Sequence, residues 1–138
     1  MSKTWRLSFR VKPLGVVSNS GYANILHAVN KQNPFLVGVW FLRGTTKLHT
    51  CSTINGRTPC YNIQTPILLQ KFSNFTIQQI QIGNQYQFQF FVNGKKEYDI
   101  VNTQPQPFQD VTFYAAHPSR VPANGIISDF KINDNYGR

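Results

Sequence analysis

Between Val39 and Arg57 the chain concentrates side chains suited to a polyhydroxylated ligand: Trp40, Arg43, Lys47, His49, Asn55 and Arg57. A flat ring can stack on the C–H face of a sugar, and planar amide, guanidinium and imidazole groups can take paired hydroxyls. If 37–42 and 47–54 form a hairpin around a turn at 43–46, Trp40 and His49 come near each other across the strands. Arg43 and Lys47 would then flank the turn, giving a small basic, aromatic site. His27 on an earlier strand can join the same sheet face, and Arg120 in the loop His117-Pro118-Ser119-Arg120 can rim it. The competing reading places Trp40 in the core, makes His27 a hydrogen-bonded structural residue and leaves the charges solvated.

For catalysis the sequence offers little. It contains no G-x-S-x-G elbow and no glycine-rich phosphate loop. The five acids are Glu97, Asp99, Asp110, Asp129 and Asp134, of which only the first two lie close together. Calcium takes six to eight oxygens, usually from several carboxylates, and a glycosidase needs two carboxylates flanking the scissile bond. Neither a calcium site nor an enzyme is expected, and no cofactor is implied. Cys51 and Cys60, with Asn55-Gly56 and Pro59 between them, suit a disulfide closing a small loop. In the chain-entropy picture such a bridge contributes about 2–3 kcal/mol. Two cysteines cannot make a structural zinc site unaided, and His27, His49 and His117 lack paired metal spacing.

The length, 138 residues, suits one domain spanning 1–138, with 133–138 expected as a tail. Aromatic residues make up 14% of the chain, a composition that favours half-buried pleated surfaces and hence an all-β fold. Fourteen Lys and Arg against five acids leave a net charge of +9, spread along the chain without a dense basic tract. That balance is either a merely soluble surface or an attraction for anionic partners such as acidic glycans, anionic lipid or nucleic acid. No stretch reaches the roughly 20 apolar residues of a membrane span. Met1-Ser2-Lys3 runs directly into strand-like sequence, so either the chain stays in the cytosol or a leader has been removed and Met1 is not native. The expected disulfide points to an oxidising, extracellular setting, and Asn74-Phe75-Thr76 is a glycosylation sequon consistent with it.

The elements that must position the site are organised around Phe75 to Val101. Tyr86, Phe88, Phe90 and Val92 alternate with Gln85, Gln87 and Gln89, which predicts a strand with one buried aromatic face and one glutamine face. Ile80 and Ile82 read as the buried face of the preceding strand, with Gln79 and Gln81 extending the amide face. Gly83-Asn84 and Asn93-Gly94 supply two-residue turns, giving a meander of about 75–82, 85–92 and 95–101. The amide face suits either a concave glycan groove, a partner's surface or plain solvent. Upstream, 4–12 alternates with Trp5, Leu7, Phe9 and Val11 on one face. Tyr22–Val29, 37–42 and 47–54 follow as strands, Ile25, His27 and Val29 sharing one side of the first of these. The run 67–72 precedes the meander; 111–115 and 125–132 close the chain. Ten to twelve short strands without a helix predict an antiparallel β-sandwich, a jelly roll.

Three features of the C-terminal half resemble the concanavalin A-like jelly-roll superfamily, which includes laminin-G, pentraxin-like and galectin-like domains. They are the turn within YQFQFFVNGKKEYD (Tyr86–Asp99), the proline-bearing link and aromatic strand QPFQDVTFYAA, and the terminal strand after a glycine in NGIISDFKI. The opening WRLSFRVKP is similar too, and the resemblance implies that it pairs with the terminal strand. The galectin His-Asn-Arg signature, with its following Trp and Glu, does not lie on this sequence.

The function expected is therefore a calcium-independent, lectin-like glycan-binding domain, secreted or cell-surface, favouring acidic glycans. The main alternative is an adhesion module whose glutamine face or edge strand meets a protein partner or a second copy. Single-stranded nucleic acid is a third reading, against which the expected disulfide argues.

Overall fold

The computed structural model describes residues 1–18, 21–33, 35–116 and 121–134. Ten strands occur among them: β1 (Trp5–Pro13), β2 (Tyr22–Val29), β3 (Val37–Leu42), β4 (Leu48–Ser52), β5 (Cys60–Ile63), β6 (Ser73–Ile82), β7 (Gln85–Val92), β8 (Lys95–Asn102), β9 (Thr112–Tyr114) and β10 (Gly125–Asp134). They form two five-stranded sheets, ordered β10-β1-β6-β7-β8 (sheet A) and β5-β4-β3-β2-β9 (sheet B). Every strand pair within them is antiparallel. The protein is thus an all-β sandwich, as its alternating patterns predict.

In sheet A, β1 follows its sequence pattern: Trp5, Leu7, Phe9 and Val11 are buried, and Arg6, Ser8, Arg10 and Lys12 point outward. It pairs with β10 on one side and β6 on the other. β10 runs through Asn133 and Asp134, which pair with Arg6 and Trp5, so the last strand continues into the expected tail. The β7–β8 turn at Asn93-Gly94 has positive φ at both residues (50° and 81°), the two-residue turn whose twist matches antiparallel strands.

β6 corrects part of the expected meander. Its buried apolar positions are Phe75 and Ile77, so Ile80 and Ile82 lie on the outer face and Ile82 is exposed. The register sets Gln79 opposite Phe88 and Gln81 opposite Tyr86, which puts both glutamines on the core-facing side, Gln79 only 2% exposed. The isoleucine pattern misleads because alternation alone does not say which face of the strand is covered. Gln79 is held by polar partners: its Nε2 donates to Lys3 O and its Oε1 accepts from Asn102 Nδ2, both at 2.8 Å.

The core lies between the sheets. Phe9 and Phe75 meet edge-on at 5.2 Å, Phe75 and Phe90 at 5.8 Å, and Trp5 and Phe88 at 6.1 Å. Leu26, Val39, Phe41 and Leu48 of sheet B belong to the same cluster. Burying each such side chain stabilises the fold by about 1.5–3 kcal/mol.

Sheet B differs from expectation in two places, the bulge in β2 and the added strand β5. A register shift in β2 between Asn24 and Leu26 lets Ile25 and Leu26 both enter the core, so Ile25 does not share a face with His27. Asn24 Nδ2 donates to Leu26 O and Val39 O, both at 3.2 Å, satisfying carbonyls beside the bulge. β5 is an additional strand: Cys51 and Cys60 are register partners joined by a disulfide, which sets the segment after the loop against β4. The run 67–72 is a connection, with Ile67 buried and Leu68 and Leu69 exposed. At the sandwich edge Tyr61 of β5 stacks on Tyr98 of β8 (4.5 Å, 11°). Burial, and then the neighbouring Tyr61, push the Tyr98 phenol above its ordinary range.

Candidate functional site

The outer face of sheet B gathers rings. β3 and β4 set Trp40 directly opposite His49, and β2 sets Asn24 opposite Trp40 and His27 opposite Gly38. Trp40 therefore points away from the core, and its indole folds back over Gly38. A Cβ on that glycine would lie 2.2 Å from the ring, so the glycine is what lets the indole lie flat on the sheet. Around it stand His27 at 5.4 Å, His49 at 5.8 Å and Phe35 at 6.1 Å between ring centroids. His27 also stacks with Phe35 at 5.2 Å. Trp40 and His27 are both buried, 6% and 1% exposed, so they form the floor of the array.

What a ligand could touch lies above this floor. Tyr22, 47% exposed, stacks on His49 at 4.4 Å with 27° between the planes. His49 Nδ1 lies 2.6 Å from Asn62 Oδ1 of the neighbouring strand β5. An amide oxygen only accepts, so Nδ1 donates to it, while Nε2 lies 3.3 Å from Cys51 Sγ, a disulfide sulfur with no proton to give. The Cys51–Cys60 bridge thus clamps β5, and with it Asn62, beside His49. Lys47, two residues before His49, is half-buried in the β3–β4 connection, its carbonyl accepting from Leu42 N at 2.9 Å. The result is an exposed phenol ring, an oriented imidazole and an exposed amide in one row.

Of the residues expected to form the site, His27, Trp40 and His49 come together, with Lys47 at one end. Arg43 is exposed in the turn, where its Nε donates to Ser18 O at 2.7 Å. Asn55 and Arg57 do not join them. They sit in the β4–β5 connection, at the end of sheet B remote from the β3–β4 turn. Asn55 adopts positive φ, its NH donates to Asn102 Oδ1 at 3.0 Å, and its Oδ1 accepts from Thr103 N at 2.6 Å; these bonds tie the loop to the end of β8. Hairpin geometry separates them, because residues on either side of the same strand leave at opposite ends. Arg120 and His117 lie outside the described residues.

Sequence patterns do not point to Tyr22, Asn62 or Phe35. The signal for Tyr22 is parity with Asn24, obscured by the bulge that follows. For Asn62 it is the disulfide, because pairing Cys51 with Cys60 across two strands puts His49 opposite Asn62 by simple counting.

The outer face of sheet A is organised differently. Gln78 Nε2 donates to Gln89 Oε1 at 2.8 Å, and both are buried. Lys96 holds Asp99 at 2.8 Å and Arg10 holds Asp129 at 3.3 Å. The hydrogen bond from Arg10, then one from Ser128, keeps the Asp129 carboxyl below the usual carboxylate range. Lys95 lies 3.6 Å from Glu97. Glu97 and Asp99 therefore answer to separate lysines rather than converging on one point. Among the described residues, His49, Cys51 and Cys60 form the one cluster with metal-ligand spacing, and both its sulfurs are committed to the disulfide.

No protein-family model matches the sequence, and no curated protein matches it. Solved structures do match in fold. The receptor-binding domain of botulinum neurotoxin type G superposes with a TM-score of 0.63 at 12% identity, over 96% of this chain and 34% of that one. Sheep galectin-11, in complex with glycerol, gives 0.55 at 9% identity, covering 96% of this chain and 92% of the galectin. A carbohydrate-binding module from Bacillus subtilis gives 0.56 at 10%, covering 97% and 76%. The chain has the lectin-like jelly-roll fold. At these identities the likeness is one of fold, and this jelly roll spans about a third of the toxin domain's length.

Proposed function

We propose that this jelly roll is a glycan-binding domain whose site is the outer face of sheet B. The observation that carries the reading is the row of Tyr22, His49 and Asn62 over the buried Trp40. The Tyr22 ring offers a stacking surface, and the exposed Asn62 amide, oriented by His49, offers its NH2 as donor and its oxygen's second lone pair as acceptor for vicinal hydroxyls. Lys47 and Arg43 bias that end toward acidic sugars. The named carbohydrate-binding character of the bacterial module supports the same reading on the same fold. Binding is calcium-independent in this reading, which the dispersal of the carboxylates supports, Glu97, Asp99 and Asp129 each being held by a lysine or arginine. The arrangement serves binding rather than catalysis, and the disulfide suits an extracellular setting.

A glycan array run with and without EDTA, at low and physiological salt, tests this. Binding to a defined sugar should survive both, and be lost in Tyr22→Ala and His49→Ala. Silence across neutral, sialylated and sulfated glycans would sink the reading. The adhesion alternative rests on β10, an edge strand with Ile126, Phe130 and Ile132 exposed. Concentration-dependent size in solution, abolished by Ile132→Lys, would favour it.

A further inference from the structure

We propose that the end of the sandwich formed by residues 14–18, 43–47 and 64–72 docks on the surface of an anionic lipid bilayer. These three connections leave the sheets at the same end and are tied together by backbone hydrogen bonds. Gly44 N donates to Val17 O at 2.9 Å, Ile67 N to Thr46 O at 3.1 Å, and Gln70 N to Pro13 O at 2.7 Å. Gln70, at positive φ, adds a bond from its Nε2 to Leu14 O at 2.9 Å.

Within this tethered end, the side chains do not follow the usual division of apolar in and polar out. Ile67 is buried, yet the next two residues, Leu68 and Leu69, are 63% and 50% exposed. Leu14, whose carbonyl accepts from the Gln70 side chain, is 39% exposed, and Val16, next to the Val17 carbonyl that Gly44 N holds, is 47% exposed. Single exposed apolar residues are ordinary, but four on one end of a sandwich, held outward by a bonded loop, form a patch.

The charge around the patch is predominantly basic. The segments LGVVS, RGTTK and QTPILLQKF contain no carboxylate and carry Arg43, Lys47 and Lys71, and Lys12 lies over the Phe72 ring at 5.6 Å. The one carboxylate lining the adjoining cleft, Glu97, is held by Lys95 at 3.6 Å. That cleft, of about 440 Å³, opens next to Leu68 and is lined by Pro66, Lys71, Phe72, Val92, Lys95 and Glu97, among others. Lys95 is paired with Glu97 there, so Lys71 is the cation left over the apolar floor to meet a phosphate-bearing headgroup with the start of its acyl chain.

This combination selects a bilayer over a soluble polyanion. Leucines contribute nothing to attraction for sulfated chains, whereas apolar side chains at an interface gain free energy by burial among acyl chains. Basic residues near an anionic leaflet each contribute a factor of about five in binding. The docking is peripheral; it shares Arg43 and Lys47 with the basic end of the proposed glycan site, while its exposed apolar residues lie outside that site.

Flotation of the intact protein with vesicles free of glycolipid tests this without reference to sugar. Phosphatidylcholine vesicles containing phosphatidylserine should carry the protein, and phosphatidylcholine alone should not. Replacing both exposed leucines (Leu68→Ser with Leu69→Ser) should weaken binding at least about tenfold at an unchanged melting temperature. Lys71→Glu should weaken it by roughly fivefold or more. Leu68→Trp should show blue-shifted emission on the anionic vesicles. Failure to float, flotation indifferent to phosphatidylserine, or binding unaltered by the leucine replacements would each overturn the proposal; the last would reduce the lysines to attraction for any polyanion.

Discussion

The two outer faces of the sandwich are built from the same pleat and spend their side chains in opposite ways. On sheet A the polar groups consume one another: Gln78 binds Gln89, Lys96 binds Asp99 and Arg10 binds Asp129. On sheet B rings cover the sheet and an oriented His49–Asn62 pair stands beside an exposed Tyr22. A face whose donors and acceptors already satisfy each other has little left to offer a ligand. A face whose polar groups are held in place by aromatic packing keeps part of their hydrogen-bonding capacity available. The glutamine-rich strand, conspicuous in the sequence, is on this view structural; the less conspicuous strand beginning at Tyr22 carries the chemistry.

The largest effect that could break this contrast is expected at Trp40. Trp40→Ala should cost about 3–5 kcal/mol in urea unfolding, because the indole fills the space over Gly38 and supports His27 and His49. A cost near zero would mean the floor of the site is not packed. Opening the bridge with Cys51→Ser and Cys60→Ser should cost about 2–3 kcal/mol and also weaken glycan binding, since β5 positions Asn62. Gln89→Ala should cost about 1–3 kcal/mol by leaving Gln78 buried without its acceptor, and should leave glycan binding intact. Loss of sugar binding in that variant would move the site to sheet A.

Tyr22→Ala reverses the pattern. Its half-exposed ring should contribute less than about 1 kcal/mol to stability, while affinity for glycan should fall by about tenfold or more with loss of the stacking surface. The smallest effect belongs to the Arg10–Asp129 pair. The Asp129 pKa is depressed in the folded state, so its contribution is present above the unfolded value of about 3.9 and fades as pH falls through the folded one. Asp129→Asn should therefore change stability slightly at neutral pH, and the difference should shrink in melts taken below about pH 4.

Much of the framework is legible in the sequence alone. Alternation in Trp5–Val11 and Tyr86–Val92 defines strands because side chains on a pleat point to opposite sides. Asn93-Gly94 marks a turn because few residues accept positive φ twice in succession. Cys51 and Cys60 pair as their spacing suggests, and Trp40 meets His49 as the hairpin implies.

Other assignments depended on what lay across the sandwich. Ile80 and Ile82 alternate like core residues, yet the opposing sheet does not cover them, and alternation alone cannot say which of two faces is covered. The bulge after Asn24 shifts parity by one residue, so Ile25 enters the core while His27 and Tyr22 share the outer face. Asn55 and Arg57, close to His49 along the chain, are carried to the far end by the strand between them. Local sequence thus determined the strands other than β5, where they turn and which cysteines join, because sterics and periodicity act over a few residues. Which face is buried, which rings meet and which leucines are left exposed at the sandwich end were decided only when two sheets closed on each other, since burial is a property of the pair.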